Sequence, residues 1–126
     1  MSVSQNILVA DDDAGVRHLI RYSLEQAGYS VSEVTNGAEA IRAVHTAPFD
    51  LVITDILMPE TDGLETIMHL RKRMPGLKVI AISGVENALF LADARGLGAT
   101  RVLTKPFKTR DLLTIVQDLL GQPSAV

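Results

Sequence analysis

Four places in this sequence carry side chains that could act together on a phosphoryl group: the acidic run Asp11, Asp12 and Asp13, the lone Asp55, the hydroxyl of Ser83 and the ammonium of Lys105. Each stands at or just after the end of a short apolar run, namely Ile7 to Ala10, Leu51 to Ile53, Val79 to Ile82, and Val102 with Leu103. Brought into one crevice, three carboxylates repel and need a cation. Oxygen-only ligands select a hard ion, and magnesium, which takes one or two carboxylates plus phosphate oxygen, fits best. A carboxylate beside magnesium can attack phosphorus and form an aspartyl phosphate, while a lysine and a hydroxyl steady the phosphoryl oxygens. Taken singly, each group also suits a plainer role: a solvated turn or helix cap for the acidic run, a strand-end turn for Asp55, a strand-end hydroxyl for Ser83, a surface lysine for Lys105. Their recurrence at four strand ends argues for a site.

The elements that must position these groups follow from periodicity. The four runs are too short for helices and suit strands buried on both faces; Val31 to Val34 gives a weaker second strand, making five. Between them, Val16, Leu19, Ile20, Ser23, Leu24 and Ala27 recur at helical spacing, with Asp13 as cap and Gly28 as stop. Asn36 and Gly37 lead into a second helix through Ala40, Ile41 and Val44, and Leu64, Ile67, Met68 and Arg71 form a third, closed by Pro75 and Gly76. A less regular fourth spans about Glu86 to Leu97. Leu112, Leu113, Val116, Leu119 and Leu120 make a strongly periodic fifth. The stretch FDLVITDILMPETDG, Phe49 to Gly63, is expected to carry Asp55 at a strand end under a stiff loop from Met58 to Gly63, because Pro59 lacks a ladder donor and Gly63 permits an unusual backbone angle. Five strands alternating with five helices predict an α/β fold with a doubly wound five-stranded parallel sheet. If the strand order is 2-1-3-4-5, the crevice between strands one and three places Asp11, Asp12 and Asp55 together.

At 126 residues the chain is expected to be one domain, with a folded core over 5–120 and a tail over 121–126. A composition 47% hydrophobic and 4% aromatic, with a formal net charge of -3, suits an aliphatic core and calls for neither nucleic acid nor membrane. With no cysteine, disulfides and thiolate metal sites are excluded. The N-terminus shows no signal-peptide pattern and no apolar run approaches membrane-spanning length, so a cytoplasmic location is expected. His18, His45 and His69 fall on three helices with no metal-like pairing to one another or to a carboxylate motif, and read as ordinary surface or partly buried residues. Arg71, Lys72 and Arg73 read as cations complementing a helix end, Met58, Met68 and Met74 as gap fillers, and Gly37, Gly84 and Gly98 as turn residues.

With these residues in view, the sequence resembles a response-regulator receiver domain over nearly its whole length. ILVADDD resembles the family's acidic pair, DLVITDILMPETDG its phosphoacceptor segment, ISG its hydroxyl position and LTKPF its lysine. The resemblance implies Asp11 and Asp12 as magnesium ligands together with Asp55 and the backbone carbonyl of Leu57. It further implies Asp55 as the nucleophile, Ser83 and Lys105 as phosphoryl contacts, and a cis peptide bond before Pro106. Magnesium is the implied cofactor. The implied partners are a histidine kinase or histidine phosphotransfer domain as donor, and a downstream protein on the face of helix four, strand five and helix five. Family members often carry an aromatic residue three positions before the lysine, where this chain has Val102, so switching is expected to run through backbone shifts. Leu57 and Val85, apolar at the two positions flanking the phosphoryl group, cannot orient a water, and a long-lived aspartyl phosphate is expected.

Two other readings compete. A hydrolase of the haloacid-dehalogenase type would use Asp11 and Asp13 as its D-x-D pair and phosphorylate Asp11, but it leaves the Asp55 segment without a role and lacks acids after Lys105. A constitutive interaction module would keep the fold without the chemistry. If this is the full chain, it leaves no room for a DNA-binding or catalytic effector and action by docking a partner is expected, while the tail GQPSAV reads equally well as a linker to further sequence.

Overall fold

The computed structural model describes residues 5–58, 61–84, 94–96 and 98–121. Pro59, Val85, the tail from residue 122 and most of the helix expected over 86–97 lie outside them. The elements in chain order are β1 (Asn6–Ala10), α1 (Ala14–Gln26), β2 (Ser30–Val34), α2 (Gly37–Thr46), β3 (Leu51–Asp55), α3 (Gly63–Arg73), β4 (Lys78–Gly84), α4, of which residues 94–96 are described, β5 (Arg101–Lys105) and α5 (Thr109–Leu120). The sheet order is β2-β1-β3-β4-β5 with every pairing parallel, the expected doubly wound arrangement.

Alternation along the strands divides the core into two layers, because successive side chains leave a strand on opposite faces. Leu8, Ala10, Val52, Val79 and Ala81 face Ala40 and Val44 of α2 and Ile67 and Leu70 of α3. Ile7, Val9, Leu51, Ile53, Ile80 and Ile82 face Ile20 and Leu24 of α1 and Leu112 and Val116 of α5. The central strands are therefore continuously apolar, as a sheet covered on both sides requires.

The helix ends follow local chemistry. Asp13 caps α1, its Oδ1 accepting from the amides of Gly15 and Val16 at 2.8 and 3.2 Å. Gly28, at φ 103°, ends the helix, where the Tyr29 amide reaches the Leu24 carbonyl at 3.1 Å and the Gly28 amide the Glu25 carbonyl at 3.0 Å. Asn36 caps α2 through the Glu39 amide, and the Glu39 carboxylate reaches back to the amide and hydroxyl of Thr35.

Several expectations need correcting. The segment after Asp55 is not simply a loop: Leu57–Met58 pairs antiparallel with Thr61–Asp62. Gly37 is the first residue of α2 and Gly84 the last of β4, so neither is a turn residue. β4 and β5 run further than their apolar cores suggest, taking in Ser83 and Lys105, because each extra residue gains a ladder partner: Ser83 pairs with Thr104 and Gly84 with Lys105. Met68 is exposed and fills no gap, whereas Met74 packs on the core. Arg71 does more than complement a helix end. Its guanidinium donates to the carbonyls of Gly98 at 2.7 and 3.0 Å and Pro75 at 2.6 Å, lashing α3 to the segment that enters β5. Gly98, at φ 126°, has no room for a Cβ, which would stand 2.8 Å from the Arg71 side chain.

Candidate functional site

Register brings the polar groups to one edge of the sheet. Ala10 pairs with Thr54, Thr54 with Ala81 and Ala81 with Val102, so β1, β3, β4 and β5 are in step and their next residues, Asp11, Asp55, Ile82 and Leu103, stand level. Lys105 lies two residues beyond that level. Paired residues point to the same side of a sheet, and its partner Gly84 has no side chain to stand between Lys105 and the β3 end.

The Lys105 ammonium spans the crevice, 2.6 Å from Asp55 Oδ2 and 3.2 Å from Asp11 Oδ2. Asp11, Asp12 and Asp55 each offer a carboxylate oxygen within 4.8 Å of the others, and among the described residues they are the only such acidic or histidine group. Asp11 and Asp55 are buried and Asp12 is exposed, so the cluster opens to solvent on one side. An all-oxygen set with an open side fits a hard divalent cation that retains water. Asp11 is held at both oxygens, Oδ1 accepting the Asp13 amide at 2.9 Å and Oδ2 the Lys105 ammonium. Ser83 is 1% exposed, and its hydroxyl has no hydrogen-bond partner among the described residues. A buried hydroxyl left unpaired costs about 1–3 kcal/mol, and such a group marks a place where a partner is missing. The peptide bond from Lys105 to Pro106 is cis, as the resemblance implies.

Electrostatics match this geometry. Burial pushes the Asp11 carboxyl above its ordinary value; the Asp13 amide pulls the other way, Asp55 adds to the rise, and Lys105 only partly offsets it. For Lys105 burial opposes the charge, but the hydrogen bond to Asp55 and the charges of Asp11 and Asp55 outweigh it and hold the ammonium above its ordinary value. A consequence follows for the metal-free protein. Because the folded pKa of Asp11 lies above its unfolded value of 3.8, ionised Asp11 disfavours folding at neutral pH. That penalty fades as pH falls through the folded pKa and is gone below 3.8. Asp11→Asn is therefore expected to raise the urea midpoint at pH 7 in the presence of a chelator, with the advantage shrinking as the solution is acidified; an equal or lower midpoint at pH 7 contradicts this.

The remaining expectations divide. The histidines stay outside the crevice and in no metal-like group among the described residues; the rings of His45 and His69 meet edge-on at 6.0 Å between centroids, and His18 Nε2 lies 3.6 Å from Glu33. Sequence periodicity cannot show such meetings, because each joins different elements. Val102 is half-buried against the α2/α3 layer, with no ring to move. Sequence reasoning also missed Glu33, which lies among Arg17, Arg21 and His18 beside the acidic turn. Burial opposes its charge, but hydrogen bonds from Arg21 and Arg17 outweigh that and lower its pKa. An apolar hollow of about 250 Å³, lined by Val16, Leu19, Pro106 and Phe107, adjoins Lys105. A second hollow, of about 450 Å³, lies at the opposite sheet edge between Gln5, Phe49, Lys78 and Leu120, away from the acidic crevice. Among the described residues no helix is long and apolar enough to cross a membrane.

Comparison with known proteins agrees with this arrangement. Residues 7–117 match the family model of the response regulator receiver domain. The response regulator receiver protein CpdR of Brucella abortus is 37% identical over 116 residues, covering 92% of this chain and 97% of that protein. The DNA-binding transcriptional regulator NtrC of a Bradyrhizobium strain is 36% identical over 94% of this chain, which spans only 25% of that longer protein. Among solved structures, the receiver domain of NtrX from Brucella abortus superposes with a TM-score of 0.87 at 30% identity, covering 90% of this chain and 97% of that one. The chemotaxis response regulator CheY4 of Vibrio cholerae does so with 0.86 at 28%, covering 94% and 100%. The acids at the ends of β1 and β3, the hydroxyl on β4 and the lysine on β5 thus stand on a scaffold shared across this group, and the chain belongs to the response regulator receiver domain family.

Proposed function

We propose that this receiver domain accepts a phosphoryl group on Asp55 from a phosphohistidine of a histidine kinase or histidine phosphotransfer domain, in the cytoplasm, as one step of a two-component or phosphorelay pathway. The observation that carries the reading is the Lys105 ammonium seated on both Asp55 and Asp11, while the end of the adjoining strand β4 carries the buried Ser83 hydroxyl, which has no hydrogen-bond partner among the described residues. An Asp55 carboxylate oxygen attacks phosphorus. The new P–O bond forms as the P–N bond to the donor imidazole breaks, and the imidazole leaves neutral, keeping the proton on its other nitrogen. Lys105 turns from carboxylate to phosphoryl oxygen, and Ser83 donates its hydroxyl to another. Asp11, Asp12, Asp55 and the Leu57 carbonyl would hold magnesium, which supplies neutralisation of the charge gathered at the phosphoryl group.

The output is a change in the face of helix four, strand five and helix five, where a downstream protein docks. With Val102 in place of a ring, Ser83 and the β4–β5 backbone carry that change. Incubation with a small phosphodonor and magnesium, followed by locating the base-labile adduct, tests the reading. Modification at Asp55, with amide shifts reaching β5 and α5, supports it; modification at Asp11 would point to the hydrolase alternative, and no adduct to a module without chemistry.

Lifetime provides a separate test. Leu57 offers no group to orient water for hydrolysis, so Leu57→Asn is expected to speed loss of the phosphoryl group several-fold in a time course on purified protein. An unchanged decay removes that explanation for a long-lived phosphate.

A further inference from the structure

Arg17 touches none of the reacting groups, yet its guanidinium joins three elements at the edge of the acidic crevice. Its Nε donates to Glu33 Oε1 on β2 at 3.1 Å, and its Nη1 donates to the backbone carbonyl of Asp11 at 2.8 Å. Both side chains of the pair are largely shielded, 13% and 15% exposed, so this is not a freely solvated surface contact. Arg21, one turn further along α1, holds the other Glu33 oxygen at 3.2 Å. The Asp11 amide meanwhile donates to the Val34 carbonyl at 3.3 Å. The Asp11 carbonyl belongs to the peptide unit that carries Asp12, so fixing that carbonyl fixes the plane from which the Asp12 Cα and its exposed side chain depart.

We infer that Arg17 is a positioning residue for the metal cluster: clamped by Glu33, it holds the Asp11–Asp12 peptide so that both carboxylates and Asp55 converge on one cation. This rests on the magnesium-dependent reading above. A planar guanidinium suits the task because it presents two donors in a fixed fork, one to a carboxylate and one to a carbonyl, whereas a lysine ammonium concentrates its charge at one point.

Charge and position make opposite predictions here, which makes the inference testable. If Arg17 acted only through its charge, removing a cation near a divalent-ion site would tighten magnesium binding. If it positions the turn, removal weakens binding in spite of the charge lost, by about tenfold, the scale at which groups supporting metal ligands act. Magnesium is titrated into the full chain and into Arg17→Gln and Arg17→Lys, following amide shifts of Asp12 and Asp55. The thermal midpoint of each is recorded in chelator. Weaker binding by Arg17→Gln, with Arg17→Lys intermediate, supports the role. Equal or tighter binding by Arg17→Gln overturns it. Should Arg17→Gln fail to fold, Arg17→Lys decides: weaker binding at an unchanged thermal midpoint supports the role, and affinity equal to the unsubstituted chain overturns it. Absence of binding by the unsubstituted chain overturns both this inference and the magnesium-dependent reading, an outcome distinct from failure of the positioning role alone.

Discussion

Asp55→Asn is expected to abolish phosphoryl incorporation from a small phosphodonor, leaving no mass gain at any residue after incubation with magnesium. The amide fits the volume of the carboxylate at the buried end of β3 but has no anionic oxygen to attack phosphorus. Asp11 is not placed to substitute. Both Asp11 oxygens are engaged, one by the Asp13 amide and one by Lys105. With Asp55 neutral, Lys105 has only the Asp11 carboxylate as an anionic partner of the two and binds it more firmly, which moves Asp11 further from the role of nucleophile. Intact-mass measurement and peptide mapping check the result, and unfolding in urea confirms that the variant is folded. Undiminished labelling elsewhere in the chain would sink the assignment.

Lys105→Ala carries the second large effect, and on two readouts. Removing the ammonium leaves Asp11 and Asp55, both buried, without the cation they share, and breaking a buried ion pair by deleting one partner costs about 3–5 kcal/mol. The Lys105 side chain is 26% exposed, so solvent screening reduces the expectation here to about 1–3 kcal/mol. The raised pKa of Lys105 gives the pH window. Its contribution is complete below the unfolded value of 10.5 and is lost as pH rises through the higher folded value, so the deficit of the variant should be constant through neutral pH. Urea unfolding in chelator measures it. Phosphoryl incorporation should fall about 10²–10³-fold, the usual loss when one preorganised charge-stabilising donor is removed. A variant with normal stability and normal incorporation would show that the 2.6 Å contact with Asp55 does not serve the reaction.

Much of this was open to reading from residue order. The short apolar runs, the Asp13 cap, the Gly28 stop and the polar residue at each strand end are local features, governed by backbone preference and by the alternation a sheet imposes. The limits of β4 and β5 were less legible. Ser83, Thr104 and Lys105 carry no strong strand signal of their own and become strand only because each finds a ladder partner. The hairpin of Leu57–Met58 with Thr61–Asp62 escaped notice for the same reason, since two-residue strands have no periodicity.

By itself, then, the sequence determined the α/β class, the five parallel strands and the standing of Asp11, Asp55, Ser83 and Lys105 at or just past the ends of four of them. What only the tertiary structure decided was which groups meet: Lys105 with two carboxylates rather than one, Arg17 with both Glu33 and the Asp11 carbonyl, Arg71 with Gly98, His45 with His69. The division has a physical cause. Strand and helix are chosen by interactions a few residues apart, whereas a charged side chain pairs with whatever the folded chain brings within about 3 Å, a choice made by register and packing across the whole domain.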